Sequence, residues 1–406
     1  MPTQQTQESV NLRPQDFIWP YWPLVPLYPY GQRRTLRQEV VHNTIWTFDQ
    51  LQGIFYVIVP IRMTVVKLEE GGLLVYAPVA PTPECLRLVQ ELVAVHGEVK
   101  YIIVPTASGL EHKVFAGPFA RCFRRAQVFV VPHLWSFPLN LPLSWLGFPG
   151  GRTQVLPAKS ADAPFANEFD YAILGPIHLG LGPFEEVAVF HKASHTLLVT
   201  DTVLSVPEVP PAICQLDPYP LLFHARDQAV DKVVDNDTTR RNGWQRICLF
   251  AHYFQPSALD VSGWQQIFRE LAQAPDRSKR AYFGLFPVTW HPDWQRSFDR
   301  LRDNGRLLVA PILQTLVLNR GPKEVMAWVD LVARWEFQRL IPCHFDAPLE
   351  ATPDQFRHAF RFLAPTDGRG AEGRSHAASF PEADLKVLRQ LNQTLTHWKI
   401  TRPEQV

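Results

Sequence analysis

The chain has 406 residues, 46% of them hydrophobic and 19% charged, with a formal net charge of +1. That much apolar material suffices for one large core or two smaller ones, and near neutrality excludes the basic footprint of a nucleic-acid binder. No apolar run approaches the roughly 18 residues that cross a bilayer, and no basic segment leads into an apolar one at the start, so the expectation is a cytoplasmic chain without a cleaved signal.

Residues 1–16 are polar and predicted disordered. Residues 17–31 interleave Phe17, Trp19, Tyr21, Trp22 and Tyr28 with Pro20, Pro23, Pro26 and Pro29. A proline at every third position favours an extended, polyproline-like strap, placed here at 17–43, which must lie on something. From residue 44 the pattern is strands with turns at Gly53 and at Glu70, Gly71 and Gly72, then a helix over 83–96 whose Leu86, Val89, Leu92 and Val93 share a face. The apolar strand 99–104 follows and runs into Pro105-Thr106-Ala107-Ser108-Gly109-Leu110-Glu111-His112. Residues 134–148 set Trp135, Phe137, Trp145 and Phe148 among prolines. That apolar loop either packs beneath the strap or, with 17–31, offers a surface to a protein partner or a membrane. A hairpin over 186–201 ends at Asp201, an extra helical region covers 244–273, and a late strand from 339 ends at His344. All of 44–365 reads as one domain, 366–380 as a linker, and 381–406 as a helix and tail with Leu385, Leu388, Leu391, Leu395 and Trp398 on one stripe. Five cysteines, Cys85, Cys122, Cys214, Cys248 and Cys343, lack C-x-x-C spacing and read as buried thiols.

The corner at 105–112 resembles the strand-to-helix turn of metallo-β-lactamase-like hydrolases, which carries T-H-x-H-x-D-H. In that register the first-site histidines become Ala107 and Gly109, while Glu111 and His112 stand at the second site. Asp201 and His344 sit where the family has its bridging aspartate and last histidine, and His178 where it often has the third histidine of the first site. The runs 19–31, 45–53, 60–63, 134–138, 216–220 and 341–346 are similar to the domain-of-unknown-function 4336 family of photosynthetic organisms. The resemblance implies an α/β (α+β) fold, an αββα sandwich of the metallo-β-lactamase type, and no established activity.

Two carboxylates and two imidazoles, Glu111, His112, Asp201 and His344, make a mixed N/O set suited to one divalent ion, zinc, manganese or iron. Alternatively Glu111 and His112 form only a hydrogen-bonded pair at a helix start, where an acid is favoured. His224 can reach the mouth of such a site or serve as a satisfied surface group, and Asp346 can orient a ligand or cap a helix. No G-x-S-x-G elbow or phosphate-binding glycine loop occurs. The expectation is thus a pseudoenzyme: a scaffold or assembly protein with a degenerate dinuclear centre, in the cytoplasm or peripheral to the thylakoid. A single-metal hydrolase of an ester, amide or phosphoester is the alternative.

Overall fold

The computed structural model describes residues 12–24, 26–107, 111–134, 141–180, 182–364 and 380–403. The linker expected at 366–380, except Phe380, and most of the predicted disordered start lie outside them. Seven strands, β1 (Leu36–Val41), β2 (Ile45–Ile54), β3 (Val57–Lys67), β4 (Leu73–Tyr76), β5 (Val99–Val104), β6 (Gln127–Val130) and β7 (Thr153–Val155), form one sheet in sequence order. Pairing is antiparallel from β1 to β4 and parallel from β4 to β7. The second sheet takes β8 (Phe169–His178), β9 (Pro183–His191), β10 (Thr196–Val199) and, after a small ribbon of β11 (Leu259–Val261) and β12 (Val288–Trp290), β13 (Arg339–Pro342) and β14 (Leu349–Glu350). Its order is β14-β13-β10-β9-β8, and β10 and β13 run parallel.

Alternation along β9 and β10 shows how the layers stack. Val187, Val189 and Leu198 join the core between the sheets, whereas Ala188, Phe190, Leu197 and Val199 face the opposite way, as the two-residue period of a strand requires. The outward set packs on helices Pro322–Val332 and Pro353–Ala359 through Trp328, Val329 and Phe356. On the far side of the first sheet, helices Pro83–His96 and Glu111–Cys122 bury Leu88, Val89, Phe115 and Phe119. The expected αββα sandwich is therefore what the chain forms. Helix Pro83–His96 starts where the Thr82 side chain accepts from the Cys85 amide and stops at Gly97, whose φ of 96° suits glycine; the cap contributes about 1 kcal/mol.

Several expectations are corrected. The region 244–273 is not one helical stretch: helix Asp237–Tyr253 and helix Trp264–Gln273 are separated by β11, because Pro256 cannot continue the first helix. The strap is not continuously extended. It makes single turns at Pro14–Phe17 and Trp22–Leu24 and bridges back on itself at Ile18 and Gln32. Trp19 is buried against Phe115, with ring centres 5.3 Å apart, but Tyr21, Trp22 and Trp145 are exposed, so strap and loop do not bury all their rings. Trp135 and Phe137 fall outside the described residues. Cys122 is exposed, while the other four cysteines are buried. The C-terminal helix forms as expected, over Glu382–His397.

Three buried histidines, His191, His224 and His252, are each pushed down to about 4 by loss of solvent around the ring. Between pH 4 and 6.5 these groups are neutral when folded and take up protons on unfolding, so their contribution to stability is lost as pH falls. Burial raises Glu84, Glu168, Glu186 and Asp346, which oppose this. Replacing one of the three histidines, His252→Phe, should therefore make the slope of unfolding free energy against pH less positive by up to about 1.4 kcal/mol per pH unit between about pH 4 and 6.5. Urea titrations of both proteins across that range test it, and an unchanged slope contradicts it.

Candidate functional site

The turn after β5 is sewn to the second sheet by backbone bonds. Ala107 N donates to Glu185 O at 3.0 Å and Val187 N to Pro105 O at 2.8 Å, around a bridge between Thr106 and Glu186. Tyr76, at the end of β4, adds a hydroxyl bond to Val187 O at 2.8 Å. The start of helix Glu111–Cys122 is thereby brought beside the end of β10, and the parallel register of Val199 with Pro342 sets Asp201 near His344.

His344 Nε2 lies 2.9 Å from Asp201 Oδ1, and the His112 and His344 ring centres are 6.2 Å apart. Nδ1 of His344 is 3.0 Å from Pro60 O, and Nδ1 of His112 is 3.4 Å from Pro78 O. A carbonyl only accepts, so Nδ1 carries the proton in each ring, and Nε2 is the nitrogen of ligand type. Metal-binding histidines are commonly oriented in this way. Two imidazoles sharing a tetrahedral ion would have centres about 5 Å apart, so the 6.2 Å here is wider than a shared ion requires. Among the described residues no three His, Cys, Asp or Glu side chains are arranged to hold an ion. With Nδ1 of His344 donating to Pro60, its Nε2 can bond Asp201 only through one further proton shared between imidazole and carboxylate.

Glu186 was not singled out from the sequence, although it organises the Asp201 turn. Its buried carboxyl accepts from the amides of Thr200 at 2.8 Å, Asp201 at 2.9 Å and Thr202 at 3.0 Å, and from the Thr202 hydroxyl at 2.7 Å. Burial first, then the charge of Asp201, push its pKa up. Lys113 was missed as well: it is 1% exposed and its Nζ donates to Ala107 O at 2.7 Å. The available signals were two adjacent acids, Glu185 and Glu186, at the head of an apolar strand, and a lysine within an apolar helix start. Charged groups are rarely buried without a partner.

The remaining candidates are placed as follows. Glu111 begins its helix, but its side chain, like Ser108, Gly109 and Leu110, is outside the described residues. Ala107 is buried. His178 is exposed at the end of β8, opposite Pro183, on the sheet edge away from β13. His224 is neither exposed nor beside Asp201. It is buried among aromatic rings, with Nε2 donating to Phe55 O at 3.0 Å. Asp346 donates its amide to Ser205 O, and burial raises its carboxyl. With Ser205, Glu208, Arg302, Arg306 and Glu350 it lines a cavity of about 660 Å³ just past the strand ends that carry Asp201 and His344.

The model of the family described as "Domain of unknown function (DUF4336)" matches residues 42–362. The chain belongs to that family. No curated protein matches it. Among solved structures, the metal-soaked Flv1 flavodiiron core from Synechocystis aligns at 10% identity with a TM-score of 0.42, over 82% of this chain and 61% of that one. A variant flavo-di-iron protein from Thermotoga maritima gives 9% and 0.40, over 81% and 62%. A metallo-β-lactamase from Pontibacter korlensis gives 11% and 0.37, over 81% and 99%. This family member thus spans less than two thirds of the two flavodiiron chains. Among the described residues no helix is long and apolar enough to cross a membrane.

Proposed function

We propose that this chain is a non-catalytic member of the metallo-β-lactamase-like fold, a scaffold or assembly protein whose former dinuclear centre has become a structural polar cluster. The observation that carries this reading is the replacement chemistry at the corner. In the register of the resembled motif Ala107 falls where a first-site imidazole would, and the buried Lys113 donates its Nζ to the Ala107 carbonyl. While protonated, that amine disfavours a nearby dication, because charges interact strongly where water is excluded. The Asp201–His344 pair is likewise satisfied by its own hydrogen bond.

The anchoring of both Nδ1 atoms to backbone carbonyls favours a second reading, in which His112, His344 and Asp201, with Glu111, hold one divalent ion. Such an ion would supply Lewis acidity for an ester, amide or phosphoester. His344 would have to exchange its bond to Asp201 for it, while Glu186 kept the Asp201 turn in place.

Elemental analysis after exposure to zinc, manganese and ferrous iron, followed by dialysis without chelator, separates the readings. The scaffold reading expects well under one metal per chain and the same trace in His344→Ala. One metal per chain, lost in His344→Ala and accompanied by esterase or phosphodiesterase turnover, would establish the hydrolase.

A further inference from the structure

Three stretches of chain meet around the 660 Å³ cavity. Residues 205–209 leave the Asp201 turn, residues 346–350 leave His344, and residues 302–307 close the third side after helix Trp294–Arg302. They are pinned to one another beside it. Leu204 and Leu308 exchange backbone bonds of 3.0 and 2.9 Å, the Ser205 hydroxyl donates to Gly305 O at 2.8 Å, and the Asp346 amide donates to Ser205 O at 3.3 Å. Asp303, Asn304 and Gly305 take left-handed backbone, with φ of 40°, 59° and 80°, and turn the chain so that Arg302 and Arg306 both line the opening. The walls are thus held by hydrogen bonds within the fold, and their volume falls in the range of small-molecule sites, which are mostly formed before the ligand arrives.

The lining carries charge of both signs, two guanidiniums from Arg302 and Arg306 and three carboxylates from Glu208, Asp346 and Glu350. Arg302 makes one long contact there, Nη2 3.7 Å from Glu208 Oε2, and its Nε has no acceptor. A pair of that length between partly exposed groups contributes little, so a ligand carboxylate displaces Glu208 at small cost. Arg306 is turned to Asp303 at 3.2 Å. The Asp346 carboxylate lies in the fields of Arg62 and Arg302 and accepts from the Ala347 amide, but neither it nor Glu350 forms an ion pair with a described residue. Arg62 is committed to Asp49. Between these groups the lining is aliphatic, from Val206, Val209, Leu307 and Leu349, with no aromatic ring among the described residues.

We infer that this cavity binds an aliphatic zwitterion, an amino acid or short peptide whose carboxylate pairs with Arg302 and whose ammonium pairs with Asp346 and Glu350. A guanidinium takes a carboxylate through two parallel bonds, which fixes the ligand's orientation as well as its charge. A ligand of one sign would bring its charge against like charges on the same lining, and such juxtapositions are what exclude wrong partners. The aliphatic side chains between the two ends suit a branched hydrocarbon side chain. The inference requires neither metal nor turnover, so its failure leaves both readings of the Asp201–His344 pair untouched.

Calorimetric titration of the full chain with L-leucyl-L-leucine tests it, with the dipeptide amide and the N-acetyl dipeptide alongside. The free dipeptide should bind once per chain and each blocked form about tenfold more weakly or worse, since each lacks one charged contact. Arg302→Gln should weaken the free dipeptide by about tenfold and leave the amide, which has no carboxylate to lose, unchanged. Asp346→Asn should weaken the free dipeptide and the amide and leave the N-acetyl form unchanged. Glu350→Gln, on the exposed strand β14, should act in the same direction and keeps the test decisive if Asp346→Asn does not fold. Thermal midpoints identify the folded variants. Absence of binding by the free dipeptide, a blocked form that binds as tightly as it does, or folded variants that leave all three ligands unchanged or weaken them alike overturns the assignment.

Discussion

Replacing Glu186 by alanine should lower the unfolding free energy by about 3 to 5 kcal/mol. The carboxyl is wholly buried and accepts four hydrogen bonds from three consecutive residues, 200 to 202. Without it, amides that have no route to water lose their acceptor, and each carries a desolvation cost of about 1 to 3 kcal/mol. Glu186→Gln should be milder, since one oxygen still accepts while the new amide group faces donors. Urea midpoints measured at constant slope give the values. A loss below about 1 kcal/mol for the alanine variant would mean that the Asp201 turn stands without its carboxylate.

Arg62 is the second position of large effect. Its Nε lies 2.7 Å from Asp49 Oδ1, Nη1 donates to Pro342 O at 2.7 Å, and Nη2 to Phe345 O at 3.1 Å. One guanidinium from β3 thus fastens the carbonyls on both sides of His344. Arg62→Ala should cost about 3 to 5 kcal/mol, because it leaves Asp49 as an uncompensated buried charge. Arg62→Met/Asp49→Leu should recover part of that, as the charge is then gone, and the double-mutant cycle isolates the coupling. If both variants are equally unstable, the carbonyl clamp and not the ion pair sets the cost.

Much of the architecture was legible because strand periodicity and turn chemistry are local. The helix Pro83–His96 and the strand before the 105–112 corner announce themselves through a threonine cap and an apolar run. The order of Asp201 and His344 along the chain was likewise readable, and parallel pairing of β10 with β13 sets them within 2.9 Å. Glu186 and Lys113 were not readable as site residues, since their importance comes from tertiary burial. The surroundings of His224 were not readable for a related reason: Phe223 and His224 follow an apolar run in sequence, but the helix Tyr219–His224 turns the imidazole toward the β2–β3 turn. Proline spacing overstated the extension of the strap, where bridging to Gln32 competes successfully with polyproline geometry.

The parallel pairing of β10 and β13 also bears on the order of folding. Between these adjacent strands the chain runs from residue 200 to residue 338 and builds the aromatic core around Trp244 and Trp290. Closing so long an excursion costs about 4 kcal/mol of chain entropy before any pairing repays it, and such distant contacts form slowly. On the ribosome, β10 must wait with one edge open until nearly all of the sandwich has been made. The bond between Asp201 and His344 is then a late event, and hydrogen exchange at the amides of Leu340, Ile341 and Cys343 should report the final docking of the second sheet.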